Sequence, residues 1–419
     1  MEKNWMFADL HIHSRFSRVC SKNLNLDNLV KWAKIKGIHL LGTGDFSHPV
    51  WIQELKDNLK FNGKGFYYFE TGGEKFPFII TGEISLIYTQ PSKSDGGRGR
   101  RVHLVLLIPS IEVAEKINSY LDTKGRRDYD GRPIFKIPCD EFVREMRKIS
   151  EDIEIIPAHI WTPYFGVFGS KSGFDSLKKA FGKEFENIHA IETGISSDPP
   201  MNWKIKDLEN KSIVSFSDAH SFWPYRLGRE ATIFKKCESY LDLVKQLREQ
   251  SFIGTIETDP AYGKYHWDGH AKCNFSCGPE KTKELEGKCP VCGKNLIVGV
   301  ESRVEDLAEG ENYLEVSPNL RNAGRQKMFY TLLPLHEIIS LWVGVGMNSK
   351  KVWGIYNFLI EKFKTEFNIL LDVSEEEMVK EEVKEKLIEL ILKNRKGKIK
   401  VKPGYDGKYG VALIENFEE

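Results

Sequence analysis

The sequence lacks an excess of either charge, because its 61 Lys and Arg residues balance 60 Asp and Glu residues. A positive field over the whole molecule is therefore excluded, and any basic surface must be local. No apolar run is long enough to span a bilayer and no signal-peptide pattern is present, so we expect a cytoplasmic protein without membrane contact. Cysteine is scarce, and four of the seven lie between Cys273 and Cys292, which indicates metal ligation rather than disulfides in a reducing compartment.

Short apolar runs alternate with helical patterns over the first two thirds of the chain. Leu26, Leu29, Val30 and Ala33 recur at helical spacing before Gly37, for example. This alternation predicts an α/β fold with a largely parallel sheet, closed into a barrel that brings its strand C-termini to one face. The predicted strands cover residues 5–10, 38–41, 76–81, 102–108, 153–157, 188–191 and 212–216.

Potential metal ligands sit mostly at the ends of these predicted strands. His11 and His13 lie two residues apart, so both imidazoles can face one cavity. Any one of these residues alone could be a satisfied polar group at a strand end. The set combines imidazoles with carboxylates, which suits Zn²⁺, Mn²⁺ or Fe²⁺ better than Mg²⁺ alone. Its members are His11, His13, Asp45, His48, Glu83, His103, His159, Asp218 and His220.

This ordered series resembles the PHP (polymerase and histidinol phosphatase) family. The resemblance implies a distorted (β/α)7 barrel with two or three divalent cations (Zn, Mn or Mg), and Glu83, Asp218 and His11 as catalytic residues. It assigns His11, His13, Glu83 and Asp218 to the first ion, Glu83, His103 and His159 to the second, and Asp45, His48 and His220 to the third. Asp9 and Glu192 are expected to orient imidazoles. Two such ions can activate water and stabilise both oxygens in phosphoryl displacement.

A second metal site is predicted after the barrel. Cys273 and Cys277 form one pair, and Cys289 and Cys292 form another within Cys-Pro-Val-Cys-Gly. Two such pairs with a short spacer predict one structural zinc in a small module. His266 and His270 lie nearby, but four thiolates already complete a tetrahedron.

Two glycine-containing loops are candidate DNA contacts. The segment Ser92–Arg101 carries Arg98, Arg100 and Arg101, and it is either a solvated loop or a phosphate-backbone contact. The segment Trp161–Gly173 contains aromatic residues followed by Ser170, Lys171 and Ser172. It suits base stacking and phosphate binding, and it equally suits a packed loop.

The C-terminal part offers two further DNA-binding candidates. Gly344-Val-Gly346, followed by a helix with Lys350 in its first turn, resembles a helix-hairpin-helix phosphate site, although any helical hairpin can use Gly in its turn. The basic segment Lys396–Lys402 leads into Gly-Tyr405-Asp-Gly, which favours a hairpin. This is either a terminal hairpin with one basic face or a DNA-facing edge with Tyr405 available for stacking.

The order of these parts predicts three domains: residues 1–265 as the metal-dependent PHP catalytic barrel, 266–300 as the four-cysteine zinc module, and 301–419 as a mainly helical DNA-binding domain. The whole combination resembles the endonuclease Q family. This resemblance implies a DNA-repair endonuclease that cuts 5′ of uracil, hypoxanthine, xanthine and abasic sites in double- or single-stranded DNA. A sliding clamp is a further candidate partner. The alternatives are a small-molecule phosphatase of the PHP family and a non-catalytic DNA-binding scaffold.

Overall fold

The computed structural model of the chain describes residues 4–90, 97–308 and 327–413. In these residues strands and helices alternate through the first part of the chain, and helices dominate the last part. The strands are β1 Trp5–Asp9, β2 Leu40–Gly42, β3 Leu59–Phe61, β4 Tyr67–Thr71, β5 Glu74–Gln90, β6 Arg98–Ile108, β7 Ile134–Phe135, β8 Glu154–Pro157, β9 Ala190–Glu192, β10 Ser212–Val214, β11 Ala231–Lys235, β12 Gly254–Glu257, β13 Asp268–His270, β14 Phe275–Cys277, β15 Met328–Thr331, β16 Lys400–Lys402 and β17 Val411–Leu413.

The helices that accompany these strands are mostly short. They are α1 Leu26–Lys36, α2 Pro49–Asn58, α3 Ile111–Asp122, α4 Cys139–Ile149, α5 Leu177–Phe181, α6 Pro199–Trp203, α7 Tyr240–Arg248, α8 Pro279–Glu284, α9 Val300–Leu307, α10 Leu335–Val343, α11 Lys350–Phe363, α12 Glu366–Leu371, α13 Glu375–Lys380 and α14 Glu385–Arg395. The predicted α/β class with a helical C-terminal region is therefore confirmed. No helix in the described ranges has both the length and the apolar character that crossing a membrane requires.

An 11-stranded sheet forms the centre of the molecule. Its strands β1, β2 and β5 are parallel neighbours, but β5 and β6 form a long antiparallel hairpin that runs from the Ile80–Ile108 pair to the Gln90–Arg98 pair. The prediction of a largely parallel sheet is therefore wrong, and the sheet is mixed. The physical reason is the short connection between β5 and β6. Consecutive strands joined by so short a connection can pair only in antiparallel fashion.

Side chains alternate across the strands between two apolar clusters. Met6 and Ala8 of β1 pack into one cluster, and Phe7 between them packs into the other. The same alternation separates Val105 from Leu104 in β6. Because both faces of these strands are buried, their register is fixed and so is the direction in which each strand end points.

Helix α1 shows how local sequence sets an element and connects it to the rest of the fold. The Asn25 side chain accepts a hydrogen bond from the backbone N–H of Asn28, and Gly37 ends the helix at a φ of 95°. At the last turn, the Nζ of Lys36 donates to Glu366 Oε1 at 2.6 Å, and both side chains are buried. Glu366 belongs to α12, so this ion pair joins the central sheet's helices to the C-terminal helices.

Candidate metal centre

The His11–His13 segment lies directly after β1, at the end of the strand. An isolated parallel bridge joins Ile12 to Ala219, and the N–H of His13 donates to the Ala219 carbonyl at 3.0 Å. This bridge holds the histidine pair beside Asp218, which follows β10. Asp218 has a φ of 47°, a left-handed conformation that is uncommon outside glycine and frequent at functional sites.

The structure brings the first predicted ligand group together. Potential ligand atoms of His11, His13, Glu83 and Asp218 all lie within 4.8 Å of one another. His13 Nε2 is 2.9 Å from Asp218 Oδ1, and His11 Nε2 is 3.5 Å from the same oxygen. His11 Nε2 is buried and has no hydrogen-bond partner among the described residues. A divalent cation among these atoms would satisfy this nitrogen and both carboxylates, so the donor set fits a metal.

A second group shares Glu83 with the first. Glu83 Oε1 lies 2.7 Å from His103 Nδ1 and 3.1 Å from His159 Nε2. Glu83 Oε2 faces the other way, 3.5 Å from His13 Nε2 and 3.7 Å from His11 Nε2. The two oxygens of one carboxylate therefore point to two adjacent groups of imidazoles, which is the arrangement that a carboxylate bridging two cations requires.

The electrostatics of these groups differ from one ligand to the next. Burial alone would lower the pKa values of His11 and His13, but the Glu192 carboxylate raises the pKa of His11 well above its usual value, and the Asp45 carboxylate raises that of His13 to about 9. A cation would therefore have to displace protons from both rings.

Burial alone would raise the pKa of Glu83, but the adjacent His103 imidazole and Arg132 guanidinium hold that pKa well below its usual range. Burial lowers the pKa of His103 to about 4. Ionised carboxylates and neutral imidazoles are the ligand forms that a divalent ion binds.

Glu192 contacts His11, a member of the first ligand group, through the ring nitrogen Nδ1. Its Oε1 and Oε2 lie 2.8 and 3.0 Å from His11 Nδ1, and Oε2 also accepts the backbone N–H of His159 at 2.8 Å. The expected contact between Glu192 and an imidazole is therefore present. Asp9 differs from its expected role, because it accepts hydrogen bonds from Ser217 and Gly228 rather than from an imidazole. It holds the backbone that precedes Asp218.

The three residues predicted for a third ion do not form a ligand group among the described residues. Asp45 Oδ1 lies 2.9 Å from His13 Nδ1, and its Oδ2 accepts the backbone N–H and hydroxyl of Ser14 at 2.7 and 2.6 Å. Asp45 is thus committed to orienting His13. The His48 ring stacks on Phe16 at a centroid distance of 4.2 Å, while His220 Nδ1 contacts the Asp218 carbonyl oxygen at 2.8 Å. The third-ion prediction is therefore not supported by this geometry.

Arg132 is the functional candidate that the sequence did not reveal. Its guanidinium donates to Glu83 Oε2 at 3.0 Å and lines the open cleft beside His103, His159 and Asp218. Burial would lower the pKa of Arg132, but Glu83 and Asp218 raise it further above its usual value, so the group stays charged. Arg132 follows an Asp-Gly turn in an irregular loop, and nothing in that local pattern distinguishes it from a surface arginine.

The predicted basic loop reaches a neighbouring cleft. Arg100, Arg101, Lys171 and Ser172 line it together with Lys136. The Arg100 guanidinium lies 4.0 Å from the centre of the Phe174 ring and donates to the Gly173 carbonyl. Arg98 is exposed, and residues 92–96 of the predicted loop lie outside the described residues.

The aromatic loop that follows His159 is mostly packed. The Phe165 ring packs against the His103 ring in a tilted arrangement with 4.3 Å between the ring centres, and the Phe165 carbonyl accepts the His103 backbone N–H at 2.9 Å. Ser170 is half-buried and Ser172 is buried, whereas Tyr164 and Lys171 are exposed. The loop therefore supports the His103 imidazole with one side and leaves the Tyr164 and Lys171 side chains exposed.

The cysteine module differs from its prediction at one position. The group of potential ligand atoms within 4.8 Å consists of His270, Cys273, Cys289 and Cys292. Cys277 is not part of this group, and its Sγ lies 3.3 Å from the Thr282 hydroxyl. The physical reason is the pairing of β13 with β14, which places His270 opposite Phe275. In this register the His270 imidazole points at Cys292 Sγ, 3.4 Å away.

The two C-terminal candidates have different surroundings. Gly344, with a φ of 68°, Gly346 and Lys350 are exposed around the turn between α10 and α11. Tyr405 is only 8% exposed, and its hydroxyl donates to Asn274 Oδ1 at 2.8 Å. Tyr405 is therefore packed against the cysteine module and is not available for stacking on a base, because its ring lies against Gly269.

Comparisons with known proteins give one match to a family model and several to relatives. Residues 334–398 match the family described as the MJ0043 C-terminal domain. The uncharacterized protein MJ0043 of Methanocaldococcus jannaschii is 32% identical over 317 residues, which is 72% of this chain. This chain spans only 38% of the length of that relative.

Two solved structures are similar over nearly the full length. The lesion-specific endonuclease PfuEndoQ from Pyrococcus furiosus has a TM-score of 0.84 and 30% identity, with 98% of this chain and 96% of that chain covered. An endonuclease Q in complex with a 27-mer duplex, which carries an abasic lesion at the active site, has a TM-score of 0.83 and 29% identity. That match covers 98% of this chain and 97% of the other.

Proposed function

We propose that this chain, which belongs to the endonuclease Q family, is a DNA-repair endonuclease that hydrolyses the phosphodiester bond 5′ of a damaged nucleotide. The substrates would be uracil, hypoxanthine, xanthine and abasic sites in double- or single-stranded DNA, and the product would carry a 3′-hydroxyl. The observation that carries this proposal is the position of Glu83, whose two oxygens face two imidazole groups in an open cleft. The alternative of a small-molecule phosphatase has no support from the similar solved structures.

The residues present fit two divalent cations, held by His11, His13, Glu83 and Asp218 and by Glu83, His103 and His159. Zn²⁺, Mn²⁺ or Mg²⁺ bound there would supply Lewis acidity and an activated water for phosphodiester hydrolysis. We propose one further structural Zn²⁺ at His270, Cys273, Cys289 and Cys292, whose donor set of three thiols and one imidazole is typical of structural zinc.

The protein's own residues then perform three tasks. Glu192 and Asp45 hold the His11 and His13 rings through their Nδ1 atoms, so that each Nε2 faces the cleft. Arg132 keeps a positive charge at the cleft wall, where it can donate hydrogen bonds to the non-bridging oxygens of the scissile phosphate as negative charge develops. The damaged nucleotide has to leave the base stack, since stacked bases hide the edges by which a lesion is read.

We also propose a separate role for each of three parts of the chain. Residues 1–265 would form the catalytic barrel, 266–300 the zinc module and 301–419 a DNA-binding domain. The basic cleft with Arg100, Arg101 and Lys171 and the exposed turn at Gly344 would contact DNA phosphates. A sliding clamp as a partner stays a prediction.

The test is an end-labelled duplex with one central uracil, incubated with the protein and Mg²⁺, Mn²⁺ or Zn²⁺. The product length reports both lesion specificity and the side of the cut. Glu83→Ala and Asp218→Asn should abolish nicking while the affinity for the duplex stays within a few-fold of wild type. The exposed Glu361→Ala should nick normally. Release of phosphate from small monoesters, without nicking of the duplex, would overturn the proposal.

A further inference from the structure

One apolar side chain projects into solvent at the edge of the metal cleft. Val19 is 91% exposed, which is the highest value for any large apolar side chain in the described ranges. It lies in the loop between β1 and α1, which begins with the His11–His13 pair, and it lines the same cleft as His103, His159 and Asp218. An exposed valine at this position contributes nothing to the apolar core, and its side chain is accessible to a ligand in the cleft.

The backbone of Val19 is also strained. Its φ is 61°, a left-handed conformation in which a β-branched side chain is crowded by its own backbone. Glycine or asparagine adopts this conformation at much lower cost. Strain of this kind persists only where the surrounding structure imposes it, and it is concentrated at ligand-contacting sites.

The surrounding structure does impose this conformation, from two sides. Asp130 Oδ1 accepts the backbone N–H of Arg18 at 3.3 Å, and the N–H of Gly131 donates to the Phe16 carbonyl at 3.0 Å. On the other side, the N–H of Ser21 donates to the His220 carbonyl at 3.4 Å. The tip that carries Val19 is therefore fixed between the loop of Arg132 and the segment of Asp218.

We propose that Val19 enters the base stack of duplex DNA and fills the space left when the damaged nucleotide turns out into the metal cleft. This inference rests on the proposed function and names the residue that makes the lesion accessible. An apolar side chain between two base steps replaces stacking contacts that the departing base gave up. A rigid tip suits this task, because a flexible one would have to be ordered each time it binds.

The experiment compares two uracil substrates that differ only in how the uracil is held. In one substrate uracil is paired in a continuous duplex, and in the other it lies in a short unpaired bubble where it is already unstacked. Val19→Ala and Val19→Asn should slow single-turnover nicking of the paired substrate at least tenfold. Both variants should stay within about twofold of wild type on the bubble, because no base has to be displaced there. The change to asparagine relieves the backbone strain, so it separates loss of the apolar side chain from misfolding of the loop.

Val379→Ala is the matched control, since Val379 is 59% exposed on α13, and it should leave both rates unchanged. A second readout uses 2-aminopurine beside the uracil in the Asp218→Asn background. Binding should raise its fluorescence when Val19 is present, and the rise should be lost when the Val19→Asn change is added. Equal loss of nicking on both substrates, or no loss on either, would overturn the role of Val19. If the wild-type protein cuts neither substrate, the proposed function itself fails, and this inference fails with it.

Discussion

Glu192→Gln is a nearly isosteric change that tests whether the carboxylate behind His11 sets the affinity for metal. The Glu192 carboxylate lies 2.8 and 3.0 Å from His11 Nδ1 and accepts the His159 N–H at 2.8 Å. A glutamine has one oxygen and one NH₂ group in place of two acceptor oxygens. Either the Nδ1–H of His11 or the backbone N–H of His159 would then face the glutamine NH₂ group, which is also a donor. His11 would in addition lose the negative charge that makes its ring a stronger ligand.

The size of the effect follows from what such supporting carboxylates contribute elsewhere. Their loss typically weakens metal binding about 10- to 100-fold, or about 1.4 to 2.8 kcal/mol at 25 °C. The nicking rate should therefore be measured against free Mn²⁺ in a metal buffer. We expect the midpoint of the Glu192→Gln curve to move to a 10- to 100-fold higher concentration, with a plateau within a few-fold of wild type.

Glu154→Gln is the matched control for this prediction. Glu154 is also fully buried, and its Oε1 lies 2.9 Å from His189 Nδ1. It sits at the first residue of β8, the opposite end of that strand from His159, and it belongs to no ligand group of the described residues. Its Mn²⁺ midpoint should match wild type. An unchanged midpoint for Glu192→Gln, or an equal shift for Glu154→Gln, would refute the supporting role of Glu192.

Three other predictions concern the charge at the cleft, the cysteine module and the buried ion pair. Arg132→Ala should lower the single-turnover nicking rate about 10²-fold, and Arg132→Lys should restore part of it, since a charge near the phosphate is retained. His270→Ala should lower the zinc content of the purified protein, whereas Cys277→Ser should retain one equivalent. Glu366→Gln should lower the free energy of unfolding in urea by about 3 to 5 kcal/mol, because it leaves the buried Lys36 ammonium without its counter-charge.

These predictions have clear controls and contrary outcomes. Glu74→Gln removes a surface partner of Lys34 that is 71% exposed, so it should leave the free energy of unfolding nearly unchanged. A rate for Arg132→Ala equal to wild type would exclude a phosphate contact. Loss of zinc from Cys277→Ser together with retention in His270→Ala would restore the four-cysteine assignment.

The strand-end pattern of the sequence predicted that these imidazoles and carboxylates share one face, and the resemblance to the PHP family implied their division into two groups that share Glu83. The pattern could predict the shared face because residues at strand ends are carried to one face by the sheet itself. The same logic could not decide what Asp45 does, since binding a cation and orienting His13 require the same residue at the same strand end. Distances of a few ångströms to Ser14 and His13 separate the two roles, and those distances arise from packing.

Loops explain most of what the sequence could not predict. Arg132 reaches Glu83 from an irregular segment whose path depends on contacts with residues far away in the chain. His270 enters the cysteine group because of the register between β13 and β14, which cysteine spacing does not encode. Tyr405 carries an aromatic ring typical of stacking platforms, yet the hairpin docks on Gly269 and buries that ring.

Strand β15 has a consequence for any shortened form of this protein. It pairs in parallel with β12 along Gly254–Glu257, and at Gly254 the two backbones approach so closely that a Cβ would lie 2.0 Å from the Met328 carbonyl oxygen. A fragment ending at residue 265 would therefore expose a row of N–H and C=O groups along β12. Such an open edge readily captures a strand from another molecule. We expect the fragment to self-associate, and the isolated metal centre would be harder to study in solution than the full chain.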